Sequence, residues 1–316
     1  DTNNITINNN NGVWTRYSIT ITTRSDCAQI EFRVITGENG TSGVNYYDAF
    51  QIEQKAYATS YIDATSAAET LTIPSTVFSK SNWSVEYTYI PQTADNKSVV
   101  AAWGLGCANG DWYRVIQYSS GRFQASVCVG GVEKGISGDP GMALSAKKPY
   151  TVCFTGDGSY LRLYVNGTQI GTAVAYTEPT SALKTNMYIG TDCSGNYTCN
   201  GLIDDLRISS RARTAAEAQA AYNSGQPLPV DGATTCKMGF DGNLQIASYN
   251  MVNTGVTTTF ARSTTAYKQD GTQVKANQPR YETGKFGQAI MLEEGTTNLV
   301  TNNSFESDTS GWVLSG

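Results

Sequence analysis

The stretch from Tyr150 to Gly225 constrains the fold more than any other part of the chain. Its first half reads YTVCFTGDGSYLRLYVNGTQIGTAVAY. Val152, Phe154, Leu161, Leu163 and Val165 alternate with other residues around a Gly-Asp-Gly-Ser turn, and a second turn follows at Asn166-Gly167. Apolar residues recurring with period two, interrupted by residues that favour tight turns, predict consecutive antiparallel strands. The second half predicts a strand from Gly201 to Ile208 and then a short helix from Thr214 to Ser224. Thr214 is placed as the N-cap, Glu217 follows three residues on, and Gly225 stands where a left-handed C-terminal residue is needed.

Composition narrows the function. Only 16% of the 316 residues are charged, and Gly, Thr, Ser, Asn and Tyr dominate, which suits an extracellular all-β surface. Net charge is −5 with no basic run, so the phosphate-neutralising footprint of a nucleic-acid binder is missing. No apolar stretch is long enough to span a bilayer, so membrane insertion is not expected. Asp1 opens directly into polar sequence without a signal peptide, so the chain reads as mature or excised. Histidine is absent, which removes the commonest general base, the Ser-His-Asp and Cys-His arrangements and imidazole metal ligands. The seven cysteines form no C-x-x-C pair, which argues against zinc and thioredoxin-like chemistry. The odd count leaves at least one cysteine free or intermolecular.

The strand-turn-strand DGSYLRLYVNG and the closing strand GLIDDLRISSR, in that order and followed by a short helix, resemble the laminin-G-like, concanavalin A-type jelly roll. That resemblance implies an all-β fold whose members mostly bind sugars or proteins and are less often enzymes. The jelly roll is expected over residues 65–229, with alternating strands around Trp83, Val85, Tyr87 and Tyr89 and around Val99, Ala101 and Trp103, then the hairpin YRVIQYSSGRFQASVCVGG.

The flanks resemble other units. Residues 1–64 contain WTRYSITITT, CAQIEFRVI and VNYYDAFQIEQ followed by KAYATSYID. They resemble the C-terminal half of a carbohydrate-binding-module-type β-sandwich. Residues 298–316, NLVTNNSFESDTSGWVLSG, resemble the opening strands of the same sandwich type. Between them, 230–297 reads as a β-rich connector, in which CKMGFDGNL and GKFGQAIMLEEGTTNL resemble strands of a further laminin-G-like unit. The surrounding polar pattern is similar to that of phage virion and large surface proteins. The expected fold class is therefore all-β: a jelly-roll sandwich with partial β-sandwich segments and a β-rich connector. A chain that starts inside one sandwich and ends inside another reads as one period of a longer repeat. Ile19, Ile21, Ile30, Phe32, Val34, Phe50 and Ile52 would then present an uncovered apolar face. Leu299, Val300, Phe305, Trp312 and Leu314 are the candidates to cover it, within the chain or, as favoured here, between chains.

Candidate sites follow from residue chemistry. Asp204 and Asp205 are adjacent on a strand, so their side chains should point to opposite faces and cannot share a substrate. No catalytic residue is assigned. Calcium needs several oxygen ligands, and the loops near Asp111, Asp157 and Asp192 are rich in them, although turn chemistry favours the same residues. Trp83 and Trp103 fall on alternating apolar faces and read as core. Trp112 and Tyr113 follow the polar run CANGD, and Tyr197 lies between Cys193 and Cys199. These loop aromatics are the candidate sugar platforms, since a pyranose packs its C–H face on an aromatic ring. Cys193 and Cys199 bracket a five-residue turn and are the candidate disulfide, with small buried thiols as the plainer reading. Seven N-x-S/T sequons, starting at Asn4, Asn39, Asn82, Asn96, Asn166, Asn196 and Asn302, permit surface glycosylation.

Together these expectations describe a non-enzymatic protein of the extracellular space, cell surface or virion that binds glycans or surface polysaccharide and associates with itself through its terminal segments. The alternatives are a structural repeat of a fibre or surface filament, and an accessory segment of a larger polysaccharide hydrolase.

Overall fold

The computed structural model describes residues 15–23, 25–27, 30, 49–54, 58–61, 65–92, 98–105, 111–118, 122–137, 144–191, 199–240, 250–251 and 258–300. The chain divides into two compact units. The first is Asp1–Ala64 together with Thr297–Gly316, and the second is Thr65–Thr296.

In the first unit residues 298–299 are hydrogen-bonded to residues 50–52. Leu299 N–H donates to the Ile52 carbonyl (2.7 Å), and the Asn298 side chain bridges Ile52 N–H (3.1 Å) and the Phe50 carbonyl (2.9 Å). Sequence reading favoured pairing of these ends between chains; here the contact is made within one chain. Tyr17, Ile19, Ile21 and Ile30 remain between 41% and 49% exposed. Phe32, Val34, Phe305, Trp312 and Leu314 lie outside the described residues.

The second unit carries β1 (Thr65–Ser66), β2 (Thr70–Pro74), β3 (Trp83–Pro91), β4 (Ser98–Leu105), β5 (Asp111–Tyr118), β6 (Arg122–Val129) and β7 (Val132–Ser137). It continues with β8 (Tyr150–Gly156), β9 (Tyr160–Val165), β10 (Thr168–Ala175), β11 (Asn186–Ile189), β12 (Gly201–Ser209), α1 (Ala215–Ser224), β13 (Thr234–Gly239) and β14 (Asn250–Met251). The last strands are β15 (Thr259–Ala261), β16 (Ala266–Tyr267), β17 (Gln273–Val274), β18 (Arg280–Thr283) and β19 (Gln288–Leu292). One sheet runs β10-β9-β8-β3-β12-β13-β14, with β19 also on β12 and β18 on β19; the other runs β15-β2-β11-β4-β5-β6-β7. All the pairings within them are antiparallel.

The predicted turns form where the sequence placed them. Asn166 (φ 50°) and Gly167 (φ 75°) take the left-handed conformation that a two-residue hairpin between β9 and β10 requires. Thr214 and Glu217 form a reciprocal capping box, and Gly225 adopts φ 61° after the last helical turn. Between the sheets, Trp83 meets Phe154 edge-on at 4.7 Å and Tyr113 at 5.3 Å. Leu71, Ile73, Val85, Val152, Leu163 and Ile208 fill the space around them. Removing such side chains from water is the main favourable term for folding.

Residues 230–296 are not a separate connector. β13 and β19 share the far side of β12, pairing with Leu206–Ser209 and Gly201–Ile203 respectively, while β15 adds to β2. A buried charge cluster ties this segment in. Arg280 donates to both carboxylate oxygens of Glu69 (2.9 and 2.6 Å) and to Glu293 (2.8 Å), and Arg262 donates to Glu69 (2.5 Å). The connector was expected because a strand's partners are long-range and leave no local mark.

Candidate functional site

β5 begins at Asp111, so strand alternation governs the residues that sequence reading placed in a loop. Tyr113 turns inward. It is fully buried against Trp83 and Phe78, its hydroxyl approaches the Lys80 carbonyl (3.5 Å), and burial raises its pKa. Tyr113 is therefore core and not a sugar platform. Trp112 turns the other way and is half-buried on the solvent face. Tyr197 lies outside the described residues.

Trp112 does not stand alone. The Arg114 guanidinium lies over its ring, 3.9 Å from the centroid. Glu133 Oε1 accepts from Arg114 Nη2 (3.4 Å) and from Gln124 Nε2 (3.0 Å). Strand register brings these together: Trp112 opposes Cys128, which opposes Glu133, and Arg114 opposes Ser126, which opposes Gly135. Tyr188 on β11 is half-buried, and shares a row with Arg114 through Ala102. The face thus combines a flat aromatic-guanidinium stack with donors and acceptors for hydroxyl groups. Sequence reading found Trp112 and missed the rest. The signal was present: Gly130-Gly131 is a two-residue turn with φ 57° and 83°, which fixes the β6–β7 register.

Two of the expected calcium positions, Asp111 and Asp157, are engaged by donors of the protein. Asp111 accepts from Gly130 N–H (2.6 Å) and the Ser181 hydroxyl (2.5 Å), and the Ser181 bond leads in lowering its pKa. Asp157 accepts from the Ser159 and Tyr160 N–H groups and pairs with Arg162 (2.6 Å). Burial raises its pKa, but these bonds outweigh it and leave it lowered. Asp192 lies outside the described residues. Among the described residues no group of three or more acids or cysteines is placed to hold a metal ion.

The two adjacent acids are anchors. Asp205 sits at φ 54°, where β12 bulges against β3 between Asp204 and Arg207. Asp204 accepts from Phe286 N–H (3.0 Å); Asp205 accepts from Leu228 N–H (2.5 Å) and pairs with Lys237. The simple opposite-face expectation omitted this bulge. Cys199 is a free, fully buried thiol whose pKa burial pushes up to about 12. Cys193, expected as its disulfide partner, lies outside the described residues.

A cavity of about 280 Å³ between β7 and β10 is lined by Val129, Val132, Lys134, Ala175, Tyr176 and Thr177. Lys134 shares the inward row of edge strand β7 with Ile136. An inward charge on an edge discourages pairing with another chain.

Residues 63–219 match the family model described as the Concanavalin A-like lectin/glucanases superfamily. Compared with curated protein sequences, the chain finds no significant match. Among solved structures, a pentraxin from Limulus polyphemus is 15% identical, with 62% of this chain and 94% of that one covered and a TM-score of 0.42. A carbohydrate-binding protein from Bacteroides ovatus, described as putative, is 14% identical over 68% of this chain and 60% of that one, with a TM-score of 0.44. The CBM40 module of a Ruminococcus gnavus IT-sialidase is 14% identical over 51% of this chain and 97% of that one, with a TM-score of 0.41. No described helix is long and apolar enough to cross a membrane.

Proposed function

We propose that the jelly roll is a non-catalytic glycan-binding module of an extracellular or virion-surface adhesion protein. The observation that carries this reading is the Trp112–Arg114 stack on the solvent face, bordered by Glu133 and Gln124. A pyranose would lay its C–H face on the exposed part of the stack and exchange hydrogen bonds with the flanking side chains. The test is a glycan array probed with the full chain and with Trp112→Ala. Saturable binding that falls at least about tenfold in the variant is expected, the order of loss for a stacking aromatic. Binding that is unchanged in Trp112→Ala would overturn the reading.

The exposed row Tyr17, Ile19 and Ile21 favours a second role in self-association. In an extended segment, apolar residues at every second position would share one face, the kind of surface that pairs with another chain. Light scattering on Ile19→Ser/Ile21→Ser decides this: a monomeric variant of an assembling wild type is expected, and a monomeric wild type sinks the role.

A further inference from the structure

The register of β6 and β7 sets which row of β7 turns toward the other sheet. Lys134 opposes Val127, and Ile136 opposes Ala125. Val127 and Ala125 are fully buried, and Ile136 is buried beside them. Lys134 therefore stands on the inward row, where an apolar residue is the ordinary choice. It lines the cavity of about 280 Å³ between β7 and β10. Val129, Val132, Ala175 and Tyr176 make the other walls largely apolar, and Thr177 adds a hydroxyl. The cavity is open to solvent: Val132 is 58% exposed, and Lys134, Ala175 and Thr177 are exposed with it. The Lys134 side chain forms no ion pair or hydrogen bond among the described residues. The acids nearest the cavity in sequence are engaged elsewhere, Glu133 with Arg114 (3.4 Å) and Glu178 with Lys80 (3.7 Å).

We infer that this cavity binds a small aliphatic carboxylate, with its charge on the Lys134 ammonium and its chain against Val129, Val132, Ala175 and Tyr176. An unpaired cation at the mouth of an apolar cavity complements an anion with an apolar body. At about 30 Å³ for each water-sized group, the volume takes on the order of nine non-hydrogen atoms, which is the size of hexanoate. A strand of another chain is a poorer occupant, because the inward charge opposes edge pairing. A sugar is poorer too, since apolar walls leave its hydroxyls without partners. The cavity lies on the inward side of β6 and β7, opposite the Trp112 stack, so the inference does not depend on the glycan-binding reading.

The test uses the full chain and saturation-transfer NMR with sodium hexanoate, hexan-1-ol, hexylammonium and glucuronate. For so few atoms a hexanoate Kd on the order of 1 mM is expected, at least about threefold tighter than hexanol. Lys134→Met should erase that difference, and Lys134→Glu should turn the preference to hexylammonium. Both substitutions are at an exposed side chain, so the melting temperature should stay where it is. Hexanol binding as tightly as hexanoate, or a preference for hexanoate that survives Lys134→Met, overturns the site. Glucuronate binding as tightly as hexanoate overturns the aliphatic class. Trp112→Ala should leave hexanoate binding unchanged; its loss there would place the acid on the glycan face and overturn the assignment to this cavity. No binding of hexanoate to the wild type overturns the inference and leaves the glycan-binding reading standing.

Discussion

Replacing Arg280 with Met should destabilise the whole second unit, not merely loosen its last strands. Arg280 is buried and holds Glu69 through two bonds, Glu293 through one and the Tyr267 carbonyl at 3.2 Å. Burial works against its charge, but Glu293 and Glu69 hold its pKa raised. Removing it leaves Glu69, itself fully buried, with Arg262 as its remaining guanidinium partner. Breaking a buried pair from one side costs about 3–5 kcal/mol, because a charge is left under-compensated away from water. For a unit of this size the melting temperature should fall by on the order of 10 °C. Arg162→Met is the control: its pair with Asp157 is partly exposed and should be worth at most about 1 kcal/mol. Calorimetry of both variants reads the difference. β19 pairs with β12 in the middle of the sheet, so the loss should appear as one cooperative transition moved down. A cost below about 1 kcal/mol, or a separate early transition for residues 259–296, would refute the reasoning.

Acid should weaken the rim of the Arg211–Arg213 cluster. Hydrogen bonding from Arg211 leads in lowering Glu217 to about 2, and Arg213 leads in lowering Asp231. Both carboxyls are depressed on folding, so their contribution is complete above the ordinary carboxylate range and is lost as pH falls from about 4.5 toward 2; a urea midpoint that stays flat across that window would count against it. Thiol labelling of the native chain should modify exposed Cys27 well before buried Cys128, Cys153, Cys199 and Cys236. Rapid native labelling of Cys199, or a peptide map showing it joined to Cys193, would contradict its burial as a free thiol.

What the sequence determined by itself was local. Period-two patterning in Val152–Val165, the Asn166-Gly167 turn and the Thr214–Glu217 capping box are each set by neighbours a few residues apart. Those signals set the local strands, the turn and the helix, while the jelly roll was expected from the resemblance of these motifs to the laminin-G-like family. Tertiary structure decided what depends on distant partners. Glu69 is a buried ion-cluster centre only because Arg262, Arg280 and Glu293 fold back onto it from about two hundred residues away. Asp205 takes its bulged conformation only where β12 meets β3. The site divides the same way: Trp112 was legible as an aromatic after a polar run, but its face, and Tyr113's burial, followed from where β5 begins. Trp112, Arg114, Gln124 and Glu133 become one surface only when three strands pair in register, because hydrogen-bonded pairing, and not proximity in sequence, sets which side chains meet across a sheet.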